Sequence, residues 1–146
     1  MTASEDSFRA AAVDLRLATF RLARRLRRER AVDSMSDAQF AVLATLRAHG
    51  RATLGSLAER EHVSAPSMNR TVNCLEEAGY VVRVPDEDDR RRVQIDITPT
   101  GTDIVAATIT RRDTALADAL AGLDFSEDDL QTLREASALM RKVAER

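Results

Sequence analysis

Between positions 64 and 73 the chain reads Ser-Ala-Pro-Ser-Met-Asn-Arg-Thr-Val-Asn. Serines, asparagines and an arginine at this density supply hydrogen-bond donors and acceptors but no strong nucleophile or base. On a wheel of 100° per residue, Ala65, Met68, Val72 and Leu75 gather on one side, while Ser67, Arg70, Asn73, Cys74 and Glu77 lie opposite. Residues 86–92 are Asp-Glu-Asp-Asp-Arg-Arg-Arg, acidic and then basic. Charges packed so densely require pairing between the aspartates and arginines, or a counter-charge from outside. A helix with one polar face, followed by a loop tipped with guanidinium groups, has the chemistry to read base edges and grip phosphates.

Other chemistries find less to work with. The two histidines, His49 and His62, stand in no metal-ligand or catalytic spacing such as HExxH. The one cysteine, Cys74, excludes an internal disulfide and a thiolate zinc cluster within one chain. An enzyme, a metal centre and a bound cofactor are therefore not expected.

The elements that must position the polar face follow from periodicity and caps. Residues 7–30 have a helical pattern in which Phe8, Ala11, Ala12, Leu15, Ala18, Leu22 and Leu26 form an apolar stripe beside an arginine-rich face. That stripe needs other helices or another chain to cover it. Ser36 and Gln39 have capping-box spacing, Phe40, Val42, Leu43 and Leu46 supply the core of the helix they open, and Gly50 suits its end. Arg51-Ala52 is expected to pair weakly with a later hairpin. Thr53 caps a short helix with Leu54, Leu57 and Ala58 inward. Ser64 caps the next helix, with Pro66 in the first turn and Gly79 as the stop. Two strands follow, YVVRVP and RVQIDIT, the second alternating Val93, Ile95 and Ile97 with polar residues. Thr98-Pro99 starts a helix containing Ile104, Val105, Ala107, Ile109, Leu116 and Leu120, and a last helix begins at Ser126 after a break at 122–125.

This order predicts a mainly α protein with a small β-hairpin wing (α+β). It is a winged helix-turn-helix over residues 33–98, between an N-terminal dimerisation helix (1–32) and C-terminal dimerisation helices (99–146). Composition agrees: 44% hydrophobic but only 3% aromatic residues, and five glycines in 146, suit long aliphatic helices. The net charge of −2 gives no global basic footprint, but it is unevenly spread. Residues 1–30 hold eight arginines against four acids, whereas residues 99–146 hold six basic and nine acidic residues. With no membrane-length apolar run and no signal-peptide pattern, a soluble cytoplasmic protein is expected.

Four stretches in order, LGSLAER (54–60), SAPSMNR (64–70), LEEAG (75–79) and DEDDRRRVQIDITPTG (86–101), resemble the MarR family of winged-helix transcriptional regulators, and the likeness runs along nearly the whole chain. Two positions depart from the family pattern. Glu87 stands where the wing turn usually has proline, and Cys74 where an arginine is frequent. The resemblance implies a homodimer with intertwined terminal helices, binding double-stranded DNA at a palindromic operator, commonly as a repressor. It also implies a small aromatic or phenolic effector held between the dimer helices and the DNA lobes, for which Phe20, Phe40 and His49 are candidates.

With the 64–78 helix in a major groove, Ser67, Asn69 and Asn73 are the expected readers of bases, directly or through water. Pro66 shares their exposed first turn. Arg70 has two uses open to it, a guanine edge or a phosphate. Ser64 and the helix N-terminus suit a phosphate, and Ser64 is also the cap. Arg90 or Arg91 would enter the minor groove, with Asp86 or Asp89 pairing the other arginine and stiffening the wing. The alternatives are a winged-helix dimer that docks a protein, and a thiol-based redox regulator working through Cys74.

Overall fold

The computed structural model describes residues 4–146. Six helices and three short strands follow one another as α1 (Glu5–Leu26), α2 (Asp37–His49), β1 (Ala52–Thr53), α3 (Leu54–Arg60), α4 (Ala65–Glu77), β2 (Val81–Pro85), β3 (Val93–Ile97), α5 (Pro99–Ala121) and α6 (Glu127–Ala144). The strands form one antiparallel sheet in the order β1-β3-β2. β1 is the weak partner expected of Arg51-Ala52: it pairs Ala52 with Ile95 and Thr53 with Gln94. The chain packs as two units, one reaching Arg112 and the other Asp113–Arg146, with α5 contributing to both.

The core of the first unit lies where α2, α3, α4 and the sheet meet. Leu43, Leu46, Leu57, Met68, Val72, Leu75, Val81, Ile95 and Val105 are all buried there. Each such side chain contributes about 1.5–3 kcal/mol relative to an exposed one. Caps set the helix starts as the residue types dictate. Ser36 and Gln39 form a reciprocal capping box, Thr53 accepts from the Ser56 amide, and Ser64 accepts from the Ser67 amide. The turn between α3 and α4 carries His62 at φ 53°, a left-handed conformation uncommon for a residue with a Cβ.

Three local expectations shift. α1 ends at Leu26 rather than near residue 30, because the next residues are drawn into side-chain bonds. Arg30 donates to the carbonyls of Arg27 (2.8 Å) and Met35 (2.7 Å) and to the Asp37 carboxylate (2.6 Å). From α5, Arg112 donates to the Glu29 carbonyl and Arg111 to that of Arg30. On α4, Ala65 is exposed rather than inward, since the first turn extends past the core. On α5 the inward face within the first unit is Gly101, Val105 and Thr108, while Ile109 is 40% exposed. Thr108, buried, is satisfied by accepting from the Ala31 amide at 3.2 Å.

α1 buries no residue within this chain, and Phe8, Leu15, Phe20 and Leu22 stand open along it. In the second unit α6 has its own capping box, Ser126 with Asp129, and likewise no buried residue; Leu139 is 61% and Val143 65% exposed.

The start of α5 is pinned to the turn that follows α4. The Thr98 hydroxyl donates to the Gly79 carbonyl (2.7 Å) and accepts from the Gly101 amide (3.1 Å), and the Thr98 amide donates to the Tyr80 carbonyl (3.0 Å). A Cβ on Gly101 would fall against the Tyr80 carbonyl oxygen and Cγ1 of Ile97. Gly101→Ala is therefore expected to destabilise the fold by about 1–3 kcal/mol in urea unfolding. An unchanged midpoint would mean that this contact yields freely.

Candidate nucleic-acid interface

α4 is held by its apolar side, Met68, Val72 and Leu75, and this leaves the polar side open. Its N-terminus presents Ser64, Pro66 and Ser67. The Ser64 hydroxyl accepts from the Ser67 amide (3.3 Å) and donates to the Ser67 hydroxyl (3.1 Å), so the two form one small cluster. Arg70 is exposed, with no ion pair or side-chain hydrogen bond among the described residues. Cys74 is exposed further along, beside a hollow of about 210 Å³ that Met35, Gln39 and Tyr80 also line.

Asn69 and Asn73 are engaged differently. Both side-chain oxygens accept from one guanidinium nitrogen of Arg83 on β2, at 3.1 Å and 2.8 Å. A second nitrogen of Arg83 pairs with Glu76, also on α4. Three consecutive turns of α4 are thus tied to the first strand of the hairpin through one side chain.

The hairpin itself registers Val81 against Ile97, Arg83 against Ile95 and Pro85 against Val93. Its connecting loop is built around Asp86. One oxygen of that carboxylate accepts from the amides of Asp88 (2.9 Å) and Asp89 (3.1 Å), and the other accepts from the Gln94 side chain. Asp89 in turn accepts from the Arg91 amide (3.0 Å), and the Arg92 amide donates to the Asp89 carbonyl (2.8 Å). Both aspartates stiffen the loop, but through main-chain amides and Gln94 rather than through the expected pairing with Arg90 or Arg91. The reason is geometric: a carboxylate two or three residues before an amide reaches it within the turn. Arg90 and Arg91 are consequently exposed and have no ion pair among the described residues. Glu87 reaches Arg51 at 3.7 Å, and Arg51 also bonds Asp96 at 2.7 Å.

An open polar helix face beside a wing with unpaired arginines has the chemistry to meet DNA. The family model described as MarR family matches residues 35–93, the span from α2 to the start of β3. An HTH-type transcriptional regulator of Mycobacterium tuberculosis is 40% identical over 135 residues, 92% of this chain and 93% of that protein. The chain belongs to the MarR family of HTH-type transcriptional regulators.

The fold of this MarR-family protein is shared by a MarR family protein from Bacillus stearothermophilus, with a TM-score of 0.82 at 23% identity over 99% of this chain and 100% of that one. It is shared too by a mutant of Staphylococcus aureus MepR solved bound to an oligodeoxyribonucleotide, with a TM-score of 0.68 at 18% identity, covering 92% and 97% of the two chains. As a member of this family the chain is a DNA-binding transcriptional regulator with a winged helix-turn-helix, and the family is not enzymatic. Among the described residues no helix is long and apolar enough to cross a membrane.

Arg83 escaped the reading of the sequence, although a signal was present. In Val81-Val82-Arg83-Val84-Pro85 it shares the strand face of buried Val81, and a cation on an inward face must find a partner. Of the three candidates for an effector site, Phe40 is half-buried under the Arg112 guanidinium, 4.3 Å from its ring centroid. His49 lines a hollow of about 300 Å³ with Arg51, Arg60 and Arg92. Phe20 lines a hollow of about 740 Å³ with Arg24, Arg27, Arg28, Arg30, Asp33 and Asp37.

The bond from Gln94, followed by the amides of Asp89 and Asp88, holds the Asp86 carboxyl below the usual aspartate range. With the folded value depressed, this contribution is complete above the unfolded value of about 3.9 and is lost as pH falls through the folded one. The amide signals of Asp88 and Asp89 should keep their native positions at about pH 4 and move only in stronger acid. Movement centred on the ordinary aspartate value would remove Asp86 as the organiser of the wing.

Proposed function

We propose that this MarR-family regulator acts as a homodimeric repressor on a palindromic operator and is released by a small anionic aromatic effector. The observation that carries the DNA reading is the wing. Asp86 and Asp89 are engaged by main-chain amides and Gln94, so neither pairs with Arg90 or Arg91, whose exposed guanidinium groups stand without an ion pair among the described residues. On this reading α4 enters the major groove, with Ser67, Asn69, Arg70 and Asn73 facing base edges, and Ser64 and Pro66 lie against a phosphate at the helix N-terminus. The wing arginines occupy the neighbouring minor groove, whose negative potential favours guanidinium. The exposed apolar stripes of α1 and α6 support the dimer, because helices with no buried residue require a partner surface. A DNA-bound regulator of this kind works in the cytoplasm.

Operator binding measured against salt tests the wing and the dimer together. Each lost phosphate contact flattens the log–log slope by about 0.9, so Arg91→Gln should flatten it by about two units if two wings bind at once. A slope unchanged by the substitution would take the wing out of the interface, and a change near one unit would favour a single chain on DNA.

The effector reading rests on the hollow beside Phe20, where an aromatic ring meets four arginines. Benzoate, used as a probe, should release the protein from its operator. Arg24→Gln with Arg28→Gln should raise the concentration needed by about tenfold or more. Release with the same benzoate requirement in the double variant would place the effector elsewhere.

A further inference from the structure

Arg83 has no place in the functions so far assigned to α4, yet it touches more of that helix than any other side chain described above. A guanidinium group only donates hydrogen bonds, so whichever amide atoms of Asn69 and Asn73 face it must be the oxygens. The oxygens of both residues lie within hydrogen-bond distance of the same Arg83 nitrogen. The amide nitrogen of each asparagine, about 120° away around Cγ, is turned from the cation, and neither has a partner among the described residues. Glu76 completes the arrangement: it pairs with a second guanidinium nitrogen and holds the group against the helix.

An unrestrained asparagine recognises adenine by using both ends of its amide, donating to N7 and accepting from the N6 amino group. With the oxygen engaged by a cation, an incoming adenine amino group meets a positive charge beside its acceptor. Each oxygen keeps a second lone pair, but the end turned away from Arg83 is the NH2 group, which only donates. Acceptors on the major-groove edge are N7 and O6 of guanine, N7 of adenine and O4 of thymine, and only guanine offers two adjacent ones.

We propose that Arg83 is a specificity-determining positioning residue that turns Asn69 and Asn73 into donor-only readers, so that they select acceptor-rich guanine edges over adenine. The proposal rests on α4 lying in the major groove as described under Proposed function. The arginine is not itself a base reader. It acts through the orientation of two side chains that are.

Selection from a pool of randomised duplexes tests it, with the full-length protein and four variants. Alanine at Asn69 and Asn73 together identifies the base pairs these residues read, as those whose preference relaxes. At these pairs the wild type should favour guanine. Arg83→Met, which frees the amides to rotate, should shift preference from guanine towards adenine by on the order of tenfold. The same substitution in the background lacking both asparagines should shift nothing. Should Arg83→Met not fold, Asn73→Asp serves instead. A carboxylate keeps the bond to Arg83 but replaces the outward donor with an acceptor, so the guanine preference at its base pair should be lost while preferences elsewhere persist.

A purely structural role for Arg83 predicts a uniform loss of affinity with unchanged preferences, and that result overturns the proposal. So does a preference shift of equal size without the asparagines, or a retained guanine preference at that base pair in Asn73→Asp. Failure of the wild type to enrich any sequence would overturn the groove placement itself and the proposal with it. Enrichment in the wild type that Arg83→Met leaves unaltered overturns only the role of Arg83.

Discussion

The arrangement depends on a short helix being gripped along one side only. Met68, Val72 and Leu75 reach the core formed by α2, α3 and the sheet, while Asn69, Arg70, Cys74 and Glu77 on other sides of α4 are exposed. Burial of three large apolar side chains is enough to fix a helix of 13 residues that would be marginal in isolation. Because the grip is apolar and one-sided, the polar side is free to vary in chemistry with little effect on folding. Polar chemistry and the holding of the fold are thereby separated onto two faces of one element.

The hairpin extends this logic. β3 is the central strand and carries the buried Ile95, while β1 and β2 flank it. The tie from Arg83 to Asn69, Asn73 and Glu76 means that the polar side of α4 and the base of the wing move as one body. A cation between a helix and a strand is expensive to desolvate, and here three polar atoms meet it at a partly exposed position, where that cost is modest.

Much of this was legible in the residues. Capping hydroxyls at Ser36, Thr53, Ser64 and Ser126 mark helix starts because each satisfies an amide that the helix leaves unpaired, a local rule that needs no tertiary information. The period-two pattern of β3 and the apolar side of α4 were equally local. What was not legible depended on contacts distant in sequence. α1 stops early because arginines about 80 residues later take the carbonyls of Glu29 and Arg30. Thr108 faces inward because the Ala31 amide needs an acceptor. Asp86 bonds amides rather than arginines because the turn folds back on itself, and charge pattern alone favoured the ion pair. Arg83 was hidden for the same reason: its partners lie 7, 10 and 14 residues away on another element.

The loop around Asp86 carries a kinetic consequence. Six hydrogen bonds within the chain define it, so its tip is shaped before any encounter. A segment that is already ordered loses little conformational entropy when it docks. Altering the arginines at such a tip should therefore be felt chiefly in how long a complex survives, and loosening the aspartate beneath them in how often a collision succeeds. Neighbouring residues of one short loop would then govern departure and arrival separately.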